Sequence, residues 1–197
     1  MDYIFHYMIT TSQSLDDRIG QRIRALRAQR DLTLDGLARA ADVSRAMLSR
    51  VERGEASATA HLLNKICAGL GTTLSDLFAE TDAPPDPIAR RADQPVWRDP
   101  ASGYTRRQVS PPGTGSRVDI VEVEFPPGGR VAFDDQRLPG ADQHVWVLDG
   151  MLDLALGEQT HRLETGDCLM MRFDRPIMFH NPTARPVRYA VVIRHAG

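Results

Sequence analysis

The spacing of apolar residues changes period halfway along the chain. From residue 14 to 80 it is helical. Leu15, Ile19, Ile23 and Leu26 follow one another at intervals of 4, 4 and 3, which places them on one face of a helix. Leu34, Leu37, Ala38 and Ala41 repeat the pattern after Thr33, a residue suited to an N-cap. Met47, Leu48 and Val51 form a third apolar face after Ser44, and Gly54 suits the position just past a helix C-terminus. From residue 104 onward the period is two. VDIVEVEF (118–125), VWVL (145–148), LDLAL (152–156) and VRYAVVI (187–193) alternate between turn signals such as PPGG, DG, TGD and NPTARP. Short strands spaced in this way predict an all-β sandwich or barrel.

Between the two halves, AETDAPPDPIARRADQPVWRDP holds five of the chain's 13 prolines and reads as an extended, semi-rigid linker. The expected organisation is an N-terminal extension over 1–13, a helical domain over 14–80, a linker over 81–100 and a β-domain over 101–197. The opening MDYIFHYMIT has no basic region and no long apolar run, so it is expected to be an extension and not a signal peptide. A cytoplasmic location is the expectation. Cys67 and Cys168 are expected to be buried thiols, with Cys168 and the Met170–Met171 pair serving strand packing.

Charge adds little to the picture. The chain has 24 Lys and Arg against 26 Asp and Glu, a net charge of −2. That excludes a globally basic nucleic-acid coat but not a local basic face. Such a face is present on the third helix. Opposite Leu48 and Val51 lie Arg45, Ala46, Ser49, Arg50 and Arg53, a set able to meet guanine edges, a thymine methyl and phosphate oxygens. Only Ala41, Asp42 and Val43 separate this helix from the one before it. A bend that tight requires a residue tolerant of the left-handed region, and Asp42 meets the requirement less comfortably than glycine would.

LTLDGLARAADVSRAMLSRVERG, followed by ATAHLLNKICAGLGTTLSDLF, resembles the five-helix, lambda-repressor-like helix-turn-helix domain of the XRE family. The resemblance covers about residues 15–78. It implies a transcription regulator in which Arg45, Ala46, Ser49 and Arg50 read bases and Arg53 belongs to the same DNA-facing set. Thr33 and Ser44 stand where helix N-termini approach phosphates. It also implies double-stranded operator DNA as a partner and a homodimer spanning two half-sites.

The second half, from FPPGGRVAFDDQRLPGADQHVWVLDG to NPTARPVRYAVVI, resembles a small cupin, a double-stranded β-helix of jelly-roll type. Metal-binding cupins place a carboxylate seven residues before the turn glycine, and Gln143 stands there relative to Gly150. Their paired histidines would fall among Gln136, Arg137, Leu138 and Pro139. Their last histidine would fall at Ile177. The inherited metal positions therefore hold no suitable ligands, and no cofactor and no catalysis are expected. By strand alternation Gln143, Val145 and Val147 point inward while His144 and Trp146 point outward. Ile177 and Phe179 likewise share the face opposite His180. A bulge could still bring His144 and His180 together as a displaced metal site. His161 is expected to be solvated. The resulting expectation is an apolar barrel that dimerises and takes a small effector against Phe133, Gln143, Val145, Val147, Ile177 and Phe179, with Gln143 orienting a neutral or polar ligand. A metal-dependent enzyme and a ligand-free dimerisation barrel are the alternatives.

Overall fold

The computed structural model of the chain describes residues 14–78, 86–133, 138 and 140–195. The expected extension over 1–13, the first part of the linker and positions 136, 137 and 139 lie outside the described residues.

Five helices come first: α1 (Leu15–Gln29), α2 (Leu34–Ala40), α3 (Arg45–Glu52), α4 (Ala60–Leu70) and α5 (Leu74–Phe78). Their starts are set by hydroxyls. Ser14 caps α1 in a reciprocal box with Asp17, Thr33 accepts from Gly36 N, Ser44 from Met47 N and Thr59 from Leu62 N. Ile23, Leu37, Leu48, Leu63 and Ile66 are fully buried between the helices. Gly20 lets α1 cross α3 closely, since a Cβ there would sit 2.3 Å from the carbonyl oxygen of Val51. Asp42 adopts φ 50° at the bend between α2 and α3, and Lys65 Nζ holds its carboxylate at 2.8 Å. Met47 is 36% exposed and not inward as expected, because it sits at the flank of a stripe centred on Leu48 and Val51. Arg27 and Glu52 tie α1 to α3 through a two-pronged ion pair at 2.6 and 2.8 Å.

The β half forms two sheets. One has the order β1 (Val96–Arg98), β2 (Thr105–Gln108), β3 (Val118–Phe125), β10 (Val187–Arg194), β5 (Asp142–Asp149), β8 (Cys168–Arg172). The other has the order β4 (Arg130–Phe133), β9 (Ile177–His180), β6 (Met151–Leu156), β7 (Gln159–Glu164). Every paired strand is antiparallel. Inward aromatic rings join the sheets: Phe179 of β9 stacks on Tyr189 of β10 at 5.8 Å, 9° from parallel. The turn motifs have structural roles. Asn181, fully buried, donates from Nδ2 to the carbonyls of Phe125, Pro126 and Arg185, so the NPTARP turn clamps the PPGG turn.

The expected linker is not extended throughout. Residues 91–93 make a 3₁₀ turn, and 96–98 form β1, paired with β2. The reason is Trp97, which is buried between Phe78 of α5 and Tyr104, with ring centroids 5.4 and 5.7 Å away. Asp99 Oδ1 accepts from Ala60 N of α4 at 2.9 Å. His195, just past β10, bonds Asp119 of β3 at 2.7 Å and lies 3.7 Å from Asp76 of α5. The helical bundle is thus docked on the barrel through α4 and α5. Among the described residues no helix is long and apolar enough to cross a membrane.

Candidate DNA-reading helix and barrel cavity

On α3 the side chains divide as the sequence predicts, Met47 excepted. Leu48 and Val51 anchor the helix in the core. Arg45, Ala46, Arg50 and Arg53 are exposed and Ser49 is half-buried. The four polar members are not equivalent. Arg45 pairs with Asp35 of α2 at 3.0 Å, both groups exposed. Arg53 pairs with Glu55 through both prongs, at 2.6 and 2.7 Å, and also donates to Ser49 Oγ. Arg50 forms no ion pair among the described residues and is exposed, one helical turn after the exposed Ala46. Thr33 and Ser44 are exposed, with their hydroxyls engaged as caps.

These features match known proteins. The helix-turn-helix family model HTH_3 matches residues 23–77. Over 66 residues the chain is 36% identical to the control protein C.MunI of Mycoplasma sp, covering 33% of this chain and 89% of that protein. The chain belongs to the HTH_3, XRE-type, helix-turn-helix family. Beyond this head, the regulator is 26% identical over 173 residues to the HTH-type transcriptional regulator SutR of Escherichia coli (strain K12), covering 88% of this chain and 92% of that one. An HTH_3 family transcriptional regulator from Vibrio cholerae shares the fold at a TM-score of 0.75 and 24% identity, over 92% of this chain and 97% of that one. The regulator therefore couples a DNA-binding head to a C-terminal half of two antiparallel β-sheets.

A partly open cavity of about 90 Å³ lies within the barrel. Phe133, Gln143, Ile177 and Phe179 are on its wall. Val145 and Val147 are fully buried but do not reach it. Both point inward, but the cavity reaches β5 only at Gln143. The cavity also takes Asn64 from α4, Thr73 from just before α5 and Leu74 from α5, so the DNA-binding head supplies part of the wall.

Sequence reasoning missed the polar residues of this wall. Tyr104 and Arg106 are on it, and with Gln108, which is buried but off the wall, they point inward at period two, the available signal; TRRQ carries no apolar residue to reveal its alternation. Arg106 is 6% exposed and donates from Nη2 to Ser75 Oγ of α5 at 2.5 Å. Its guanidinium also lies 4.9 Å from the centre of the Phe78 ring. Burial lowers its pKa, because no carboxylate among the described residues is close enough to form an ion pair. Burial likewise raises the phenols of Tyr104 and Tyr189.

The cupin metal positions do not fit a metal ion. Gln143 is a neutral amide and Ile177 has no donor atom. His144 and His180 do not converge. The first is exposed on the outer face of the large sheet; the second is turned away from the interior of the small sheet, 4.0 Å from Asp153. Among the described residues no three His, Cys, Asp or Glu side chains are grouped to hold a metal. His161 is exposed in the middle of β7. Of the two thiols, Cys67 is buried, but Cys168 is exposed, contrary to expectation. It faces outward with Trp146, its register partner, while Met171 packs inside and Met170 is 48% exposed.

Proposed function

We propose that the chain is a one-component regulator whose α3 lies in the major groove of operator DNA, while its barrel binds a small effector and pairs two copies. Arg50 carries the reading of bases, with Arg45, Ala46 and Ser49 beside it. Arg53, Thr33 and Ser44 are assigned to the backbone. The observation that carries this is the exposed Arg50, without an ion pair among the described residues and on the same face of α3 as the exposed Ala46. The adjacent cations are already held by Asp35 and Glu55. A bidentate arginine–guanine contact is worth ~1–3 kcal/mol. In a duplex-selection experiment followed by binding titration, Arg50→Ala should weaken binding to the selected sequence by about that amount and flatten the preference at one base pair. Unchanged preference would overturn the assignment.

Pairing of copies is supported by the outer face of the large sheet. Ile120, Val192, His144 and Met170 line up across four adjacent strands, with Trp146 49% exposed in the next row. An apolar patch of this kind suits a self-complementary two-fold contact. The cavity wall supplied by α4 and α5 supports effector control: a ligand changes DNA affinity only if it binds two arrangements of the head unequally, and here it would touch the head directly. The vacated metal positions favour sensing over catalysis, and cytoplasmic operator DNA sets the place of action.

A further inference from the structure

Resting on the effector-pocket reading above, we infer that the ligand is a small organic carboxylate, held by Arg106, with an apolar body lying against Phe133, Ile177 and Phe179. The argument starts from the polar groups on the cavity wall. Tyr104, Arg106, Gln143 and Tyr189 are each at most 7% exposed. Among the described residues, the side chains of these four make a single hydrogen bond with the protein, from Arg106 to Ser75. Among the described residues the fully enclosed side-chain polar atom without a partner is Gln108 Oε1, so the free donors of these four border the cavity space, where a ligand can reach them. The remaining capacity here is mostly donor: guanidinium N–H groups, two phenol hydroxyls and an amide NH₂. A complementary ligand presents acceptor oxygens.

Charge narrows the class. Among the described residues, the cavity wall carries two arginines and no Asp or Glu. Arg175 is exposed and paired with Asp174 at 2.7 Å, which leaves Arg106 as the buried cation on the wall that has no carboxylate in ion-pair contact among the described residues. One guanidinium neutralises one carboxylate through two parallel hydrogen bonds. A doubly charged phosphate would keep an uncompensated charge among apolar side chains. Size narrows it further. The cavity holds roughly six water-sized positions, which fits a ligand of roughly six to ten heavy atoms.

The same residue carries the signal to the head. Arg106 is held by Ser75 and Phe78, both on α5. A carboxylate that draws the guanidinium toward the cavity competes with those contacts, so ligand binding and the seating of α5 are linked through one side chain.

The test is calorimetric titration of the full-length chain with butyrate, hexanoate and benzoate, each beside its amide, with inorganic phosphate as the charge control. At least one acid should bind roughly ten- to a hundredfold tighter than its amide. Arg106→Gln should abolish that preference, and Arg175→Gln should keep it. The acid–amide comparison uses the wild-type chain and holds whether or not the Arg106 variant folds. If an amide binds as tightly as its acid, or phosphate binds as tightly as any acid, the carboxylate assignment is wrong while the effector pocket stands. If neither acids nor amides bind, the effector pocket falls with it.

Discussion

The ring of Phe78, the last residue of α5, lies 5.4 Å from the indole of Trp97 in β1, tilted by 42°. This contact begins a continuous run of rings from the DNA-binding head into the barrel: Trp97 to Tyr104, Tyr104 to Phe125, Phe125 to Tyr189, Tyr189 to Phe179, and Phe179 to Phe133 on the cavity wall. The two halves therefore share a packed seam where a proline-rich tether alone would have left them independent. Removing the indole should cost about 3–5 kcal/mol, the usual range for a buried tryptophan cut to alanine. It should also split unfolding into two steps, since the seam couples the halves. Denaturant titration of Trp97→Ala, followed by circular dichroism and by fluorescence of the remaining Trp146, checks both. A single coincident transition at wild-type stability would contradict the seam's role.

The Arg27–Glu52 pair makes a separate claim about α3. Both side chains are largely buried, and Arg27 Nη1 also donates to Leu32 O at 3.0 Å. Loss of the arginine leaves a carboxylate without its partner, and breaking a pair of this kind costs about 3 kcal/mol. Arg27→Met should destabilise the protein by about that much. Adding Glu52→Gln should recover a large part, because the stranded charge is then gone. Thermal or chemical denaturation of the single and double variants decides it, and a double variant less stable than the single would show that the charge is not the cause.

Strand alternation was legible where a strand was long and half apolar. Along β5, Gln143 turned in and His144 out, as its eight residues implied. The caps Thr33 and Ser44 and the bend at Asp42 were legible because each depends on a residue's own local chemistry. The cavity was only half legible. Val145 and Val147 face inward like Gln143, but a sequence does not say how far along a strand side chains fill the interior. Arg106 was hidden because its burial depends on α5, about thirty residues earlier in the chain. Trp97 was read as linker for the same reason: the proline pattern around it is local, and the rings that bury it are not.

Protonation of His195 should make the seam sensitive to pH. Its Nε2 meets Asp119 at 2.7 Å, and the ring also faces Asp76. The Asp119 hydrogen bond, opposed by burial and aided by the two carboxylates, raises its pKa above the ordinary 6.5. Asp76 is pushed up by burial but is held lower overall by hydrogen bonds from Thr73 and Thr72 and by His195. A raised folded-state value means that the folded chain holds the proton more tightly than the unfolded chain. The stabilisation is complete below about pH 6.5 and is lost as pH rises through the folded value. Melting temperature measured from pH 6 to 9 should fall more in the wild type than in His195→Gln. Parallel curves would remove His195 from the account.

Trp146 tests the pairing of copies. It is 49% exposed on the outer face of the large sheet, on β5 between β10 and the edge strand β8, with Met170 at 48% and Ile120 at 39% in the neighbouring row. Its side chain faces away from both the core and the cavity, so a substitution there spares the fold. Trp146→Glu would place a charge in any two-fold contact that covers this row, and by symmetry the two charges would face the same interface. Sedimentation equilibrium should then show a dimer for the wild type and a monomer for the variant, with melting of the isolated chain little changed. DNA affinity should fall with it, since two linked heads occupy two half-sites at once and a single head does not. A variant that remains dimeric would move the contact to another face of the molecule.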